Sequence, residues 1–312
     1  MQLHLIDAFS HKAFAGNPAA IVLLDQEPTS ADWMQSVAME MNQAETAFVW
    51  PIKNSASAHS SSSAHSSSSA HSALKAHSRP QADWGLRWFT PKIEVQLCGH
   101  ATLASAHALW QEALVKESDA VRFFTPMAGH YLRCEKNIES GFIRMSFPFV
   151  AVEPAEIPTG LIEALGATPT HCGRSDNGSL LLQFKTAKEV RSMAPDFRAI
   201  QEATTDVVII TALSDQPEVD VVSRFFAPGK GIDEDSVTGS AHCIIGPWWS
   251  RPLKQKSLVC YQASSRGGMI HLEIGSDSKP DSALEPPKVF LSGQAITVLS
   301  GDWKIDPPKS SK

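Results

Sequence analysis

Along this chain apolar and polar residues alternate in short runs, and few stretches carry a helical period. Residues 3–7 and 19–24 read as strands on either side of a Gly16-Asn17-Pro18 turn. Trp33, Val37 and Met41 then recur at four-residue spacing, which predicts a helix from about Ala31 to Asn42, capped by Thr29 or Ser30. A strand over 46–50 follows, so Glu45 stands at a helix-to-strand junction, where side chains often point into clefts. Further strands are expected over 86–89, 94–97, 121–124, 130–134 and 142–147, with a helix from Gly99 to about Gln111 among them. The second half predicts a helix near Leu161, strands over 180–184, 207–211 and 221–226, and a helix from Ser240 to about Trp249. Closing strands fall near Leu258, Met269 and Ile296. Short strands joined by turns, with little βαβ alternation, predict an α+β fold with mainly antiparallel sheet.

Residues 54–79 break this pattern: Ala-His recurs every six residues, with serine filling most of the gaps. Such a segment is too poor in apolar side chains to offset its ordering entropy, so it is expected to be a flexible surface insertion within a domain. Four regularly spaced histidines there are also a pattern that can bind metal, but repeat expansion of a solvated loop is the plainer account.

The chain also echoes itself. Arg87-Trp88-Phe89-Thr90-Pro91 leads through a short loop to Cys98-Gly99-His100-Ala101 and an apolar helix. Arg224-Phe225-Phe226-Ala227-Pro228 leads through a slightly longer loop to Thr238-Gly239-Ser240-Ala241 and another. A third copy of the strand motif, Arg122-Phe123-Phe124-Thr125-Pro126, lacks the glycine and the helix. Both helices are apolar nearly all round, so each belongs inside a core wrapped by sheet. Their first turns present free N–H groups and partial positive charge, the makings of an anion site. Two such starts facing each other would hold a small carboxylate between the halves.

At 312 residues two domains are the better expectation. The net charge of −6 and the lack of a basic block argue against nucleic acid and anionic membranes as partners. No apolar run approaches the ~20 residues of a membrane span, and the start lacks the basic and apolar regions of a secretory signal. Five scattered cysteines without CxxC spacing predict reduced thiols, neither a disulfide framework nor a zinc site, in a cytoplasmic protein. Asp233, Glu234 and Asp235 with His242 show no second ligand cluster, so no metal is expected there. Ser240 lies outside any GxSxG elbow, which speaks against a serine hydrolase. Glu45 in a dry cleft could move protons, although an isolated loop glutamate is more often merely solvated. His100 and Asp235 likewise read as capping residues when taken singly.

Four ordered motifs change those odds. They are Gly16-Asn17-Pro18-Ala19, Asn42-Gln43-Ala44-Glu45-Thr46-Ala47-Phe48, Leu97-Cys98-Gly99-His100-Ala101-Thr102, and Asp235-Ser236-Val237-Thr238-Gly239-Ser240-Ala241-His242. Together they resemble the PhzF-like phenazine-biosynthesis isomerases from end to end, apart from the Ala-His-Ser insertion. The resemblance implies a diaminopimelate epimerase-like fold of two pseudo-symmetric β-barrel-like halves, each around a central helix. These would be residues 1–146 and 147–290, with 291–312 supplying a strand that returns to the first half and then a tail. It implies a homodimer, no organic cofactor, no metal, and a small carboxylate-bearing substrate. Glu45 would be the general acid/base, His100 and Asp235 would assist it, and Asn17, Gly99, Gly239 and Ser240 would hold the substrate. The family usually has Asp-Pro where this chain has Asp235-Ser236, so the turn into the second helix is expected to be less rigid. Related epimerases use two opposing cysteines; here Cys98 fills the first place and Ser236 is expected at the second, so a two-thiol reaction is disfavoured. The expected function is a proton-shifting isomerase acting on a small unsaturated carboxylic acid. The alternatives are an amino-acid racemase or epimerase using Cys98, and a non-catalytic member that binds a small molecule or a protein.

Overall fold

A computed structural model describes residues 1–52, 82–275 and 287–308. The expected Ala-His-Ser insertion over 54–79 lies outside the described residues. In the first half, β1 (Gln2–Ala8) pairs antiparallel with β2 (Asn17–Leu23), and β2 runs parallel to β3 (Glu45–Pro51). The helix that makes this parallel crossover, α1 (Ala31–Met41), starts at Ser30, whose side chain accepts from Trp33 N. It ends at Asn42 in the left-handed region, and its buried residues are Met34, Val37 and Ala38. Next come β4 (Trp84–Phe89), antiparallel to β3, and the short β5 (Glu94–Val95). The half continues through β6 (Val121–Thr125), β7 (His130–Lys136) and β8 (Ile143–Pro148). Inside these strands runs α2 (Gly99–Gln111), buried along its length except at Gly99, His107 and Gln111.

The second half repeats the plan. β9 (Val152–Pro154) and β10 (His171–Ser175) pair antiparallel, and β11 (Leu180–Gln183) is parallel to β12 (Val208–Leu213). Three short helices pack outside: α3 (Leu161–Leu165), α4 (Ala187–Ser192) and α5 (Phe197–Ala203). After β12 come β13 (Val221–Ala227) and β14 (Ile232–Glu234), then the central α6 (Gly239–Leu253). The strands β15 (Ser257–Gln262), β16 (Gly268–Gly275) and β17 (Lys288–Gly293) close around it. β17 also pairs with β8, so the two halves share one hydrogen-bonded sheet. The last strand, β18 (Ala295–Asp302), pairs with β1. This is the sheet-rich α+β class that the pattern predicts.

The α6 helix runs past the expected end near Trp249 and carries Pro247 and Pro252 in its interior. Pro247 has no N–H to give to the carbonyl of Cys243 one turn back. Val150 N donates to that oxygen instead, at 3.3 Å, so the helix continues.

The internal echo extends to side chains. Arg87 binds Glu94 through Nε and Nη2 at 2.7 and 2.6 Å, and Arg224 binds Glu234 in the same way at 2.7 and 2.9 Å. Each guanidinium also lies over the phenylalanine two residues on, at 5.2 Å for Phe89 and 5.0 Å for Phe226. The third motif copy differs: Arg122 pairs with Asp83 across the surface. Among the described residues, no helix is long and apolar enough to cross a membrane.

Candidate active site

Both central helices begin at their glycines, and the two starts touch. A Cβ on Gly99 would lie 3.5 Å from Gly239 Cα, and one on Gly239 would lie 3.6 Å from Gly99 Cα. The residues just before them, Cys98 and Thr238, are both extended N-caps whose side chains make no cap hydrogen bond. The first free N–H groups of both helices therefore converge on one region.

The neighbouring side chains come from four chain segments. Glu45 opens β3, next to Ala19 of β2 in the parallel register. Its Oε2 lies 3.1 Å from His100 Nε2, with the glutamate side chain 15% exposed and the histidine 5%. The pair meets without the alignment of a directed hydrogen bond, leaving His100 Nε2 buried and unsatisfied. His100 Nδ1 faces Cys98 Sγ at 3.5 Å and Asn17 Nδ2 at 3.2 Å. Both N–H groups of Asn17 already have better acceptors, Asp235 Oδ1 at 2.8 Å and Val237 O at 2.9 Å. Those acceptors fix the amide's orientation and leave Asn17 Oδ1 buried without a donor.

Charge in this pocket is coupled. Burial opposes a charge on His100, but the anionic forms of Cys98 and Glu45 outweigh it, and the imidazole pKa stands well above its usual value. The Cys98 thiol is pushed up, by burial first and by Glu45 second. The Asp235 carboxyl is also pushed up, chiefly by burial, against the pull of His100. Cys98 and His100 thus titrate as a unit, and raised values on a thiol and an acid keep net charge in the pocket low.

A residue that the sequence motifs did not single out holds the turn into α6. Gln262 on β15 is fully buried; its Oε1 accepts from Thr238 N at 2.8 Å and its Nε2 donates to Asp235 O, also at 2.8 Å. Ser264 Oγ donates to Ser236 O at 2.7 Å. These bonds pin the turn at Asp235-Ser236. Only the spacing of Gln262 in a strand could have pointed to it, and that carries no motif.

Superposing the two halves by strand register shows how unlike their chemistry is. Arg87 and Arg224 face Phe48 and Ile210, which sets Glu45 against Val207 and Asn17 against Asn177. Counting from the helix glycines sets Cys98 against Thr238, His100 against Ser240, Thr102 against His242, and Val95 against Asp235. The partner of Cys98 is therefore Thr238, the residue immediately before the second helix-start glycine, which corrects the expectation of Ser236. Of the expected residues, Asn17, Glu45, Gly99, His100, Asp235 and Gly239 come together, and Ser240 stands exposed at the α6 start. Asp233 is exposed and joins no ligand group, whereas Glu45, Cys98 and His100 place one donor atom each within 4.8 Å of one another.

The sequence profile of the PhzC-PhzF family, described as phenazine biosynthesis-like protein, matches residues 6–301. An uncharacterized isomerase of Halalkalibacterium halodurans is 37% identical over 303 residues, covering 96% of this chain and 97% of its own. The crystal structure of a PhzF-family phenazine biosynthesis protein from Enterococcus faecalis superposes with a TM-score of 0.78 at 30% identity, over 97% of this chain and 99% of that one. A probable proline racemase from Agrobacterium radiobacter shares the fold at a TM-score of 0.62, with 10% identity over 99% of this chain and 94% of its own.

Proposed function

The chain belongs to the PhzC-PhzF, or phenazine biosynthesis-like, family, and from that premise we propose that it is an isomerase that moves a proton along a small unsaturated carboxylic acid. The observation that carries this reading is the Glu45–His100 contact of 3.1 Å beside the touching helix starts. The helix termini at Gly99 and Gly239 hold the substrate carboxylate with their free N–H groups. Glu45 takes a proton from one carbon and returns it to another, with no cofactor needed to carry it. His100 stands behind Glu45 as the counter-charge, and Asp235, held through Asn17, orients the substrate from the other half. The isomerase name of the bacterial relative supports the reaction class. The thiol-based alternative is weakened by the residue opposite Cys98, since the Thr238 hydroxyl is far too weak a base to stand in for a second thiolate.

The test is deuterium incorporation, in heavy water, from a library of unsaturated carboxylic acids. Glu45→Gln is expected to lower exchange by about a hundredfold or more while the ligand still binds. Exchange that survives Glu45→Gln and vanishes in Cys98→Ala would assign the reaction to the thiol instead.

A further inference from the structure

We propose that Glu45, Cys98 and His100 form a binding site for a thiophilic divalent ion, with zinc the ion that its donors suit best. One thiol, one imidazole and one carboxylate are the donor types of zinc sites that keep an open position. Tetrahedral zinc holds its nitrogen and sulfur ligands roughly 3.5 Å apart, and Cys98 Sγ lies 3.5 Å from His100 Nδ1. The Glu45 carboxylate completes a group spanning no more than 4.8 Å, and its partial exposure leaves it free to swing toward the ion. The ion lies on the Nδ1 side of the ring, beside Cys98, and Glu45, which stands 3.1 Å from Nε2, turns to join it. Binding displaces the thiol proton of Cys98 and the Nδ1 proton of His100 to solvent and leaves thiolate–metal and imidazole–metal bonds. Because Glu45 is also the proposed acid/base, the ion is an inhibitor here and not a cofactor; that consequence rests on the proposed function, whereas the binding does not.

The experiment uses the full chain with His59, His65, His71 and His77 replaced by glutamine, which removes the other histidine-rich ligand set. Cobalt is added as the probe and zinc as its competitor. The expected result is one cobalt per chain with a thiolate-to-metal charge-transfer band, displaced by zinc. Cys98→Ser is expected to erase the band and to weaken zinc binding by about tenfold or more. Cys172→Ser, on β10, is expected to change neither. Should Cys98→Ser fail to fold, Glu45→Gln serves in its place, keeping the band while lowering affinity. A band that persists in Cys98→Ser, or cobalt bound without any thiolate band, would overturn the proposal. Neither readout involves turnover, so failure here is distinct from failure of the isomerase reading.

Discussion

Asn17 and Asp235, 218 residues apart, are joined by a hydrogen bond of 2.8 Å that links the first turn of one half to the helix entrance of the other. The asparagine is fully buried and gives its two N–H groups to Asp235 and to the Val237 carbonyl. It therefore solvates a buried carboxyl and anchors the turn below it. The same position in the other half, Asn177, spends its side chain on its own turn, accepting from Ser175 Oγ. One residue type thus serves closure between the halves in one copy and local turn geometry in the other.

Replacing that amide with a carboxyl tests the link. Asn17→Asp sets two buried acids within hydrogen-bond reach, and both cannot ionise without a large cost. Stability at neutral pH is expected to fall by about 2–4 kcal/mol. The folded variant holds a proton that the unfolded chain releases, so its deficit relative to the parent shrinks as pH falls. Urea midpoints of both proteins at neutral and mildly acidic pH check this, and a deficit that grows toward acid contradicts it.

Gln262 bears on the same turn from below. Gln262→Leu keeps the volume but leaves Asp235 O and Thr238 N buried and unpaired, since both depend on the glutamine amide. The expected loss is about 2–3 kcal/mol. Because the turn positions Asp235, ligand affinity should fall with it, whereas Gln262→Glu, which keeps the acceptor for Thr238 N, should recover part of the stability. Calorimetry of unfolding for the pair decides; equal losses would mean that the amide donor to Asp235 carries the whole effect.

Much of the site could be read in the chain because its residues sit at punctuation marks: a turn asparagine, a helix-to-strand glutamate and two helix-start glycines. The bounds of α2, Gly99–Gln111, match the expected helix because an all-apolar run bounded by glycine is a strong signal. The helices at Ala187–Ser192 and Phe197–Ala203 were not legible, being only 6 and 7 residues long, too short to establish a period. The α1 face carrying Trp33, Val37 and Met41 packs inward as its spacing predicts, and Met34 and Ala38, buried beside Val37, widen it. Gln262 was out of reach for a different reason. Its importance lies in strand pairing that brings β15 beneath the α6 entrance, and tertiary pairing leaves no local pattern.

His242 supports the α6 entrance from inside and gives acid sensitivity a definite sign. Its Nδ1–H donates to Thr238 O at 2.8 Å, the task that the Thr102 hydroxyl performs on Cys98 O in the other half. Burial pushes its pKa from 6.5 down to about 4. A histidine depressed in this way is neutral in both states above 6.5, and its contribution to stability is then fully present. Between 6.5 and about 4 the unfolded chain takes up a proton that the folded chain refuses, so stability falls as pH falls. The loss from this one residue approaches about 3 kcal/mol once pH is below the folded value. His107 is likewise lowered to about 4, by burial and then by Lys136, so the two losses run over the same window. His242→Gln keeps an N–H for the Thr238 carbonyl and cannot titrate. Its unfolding midpoint should therefore decline less between about pH 7 and about pH 4.5 than that of the parent, with the remaining decline reduced again in the double variant with His107→Gln. Parallel pH curves for parent and His242→Gln would show that the folded chain already accommodates the charged ring.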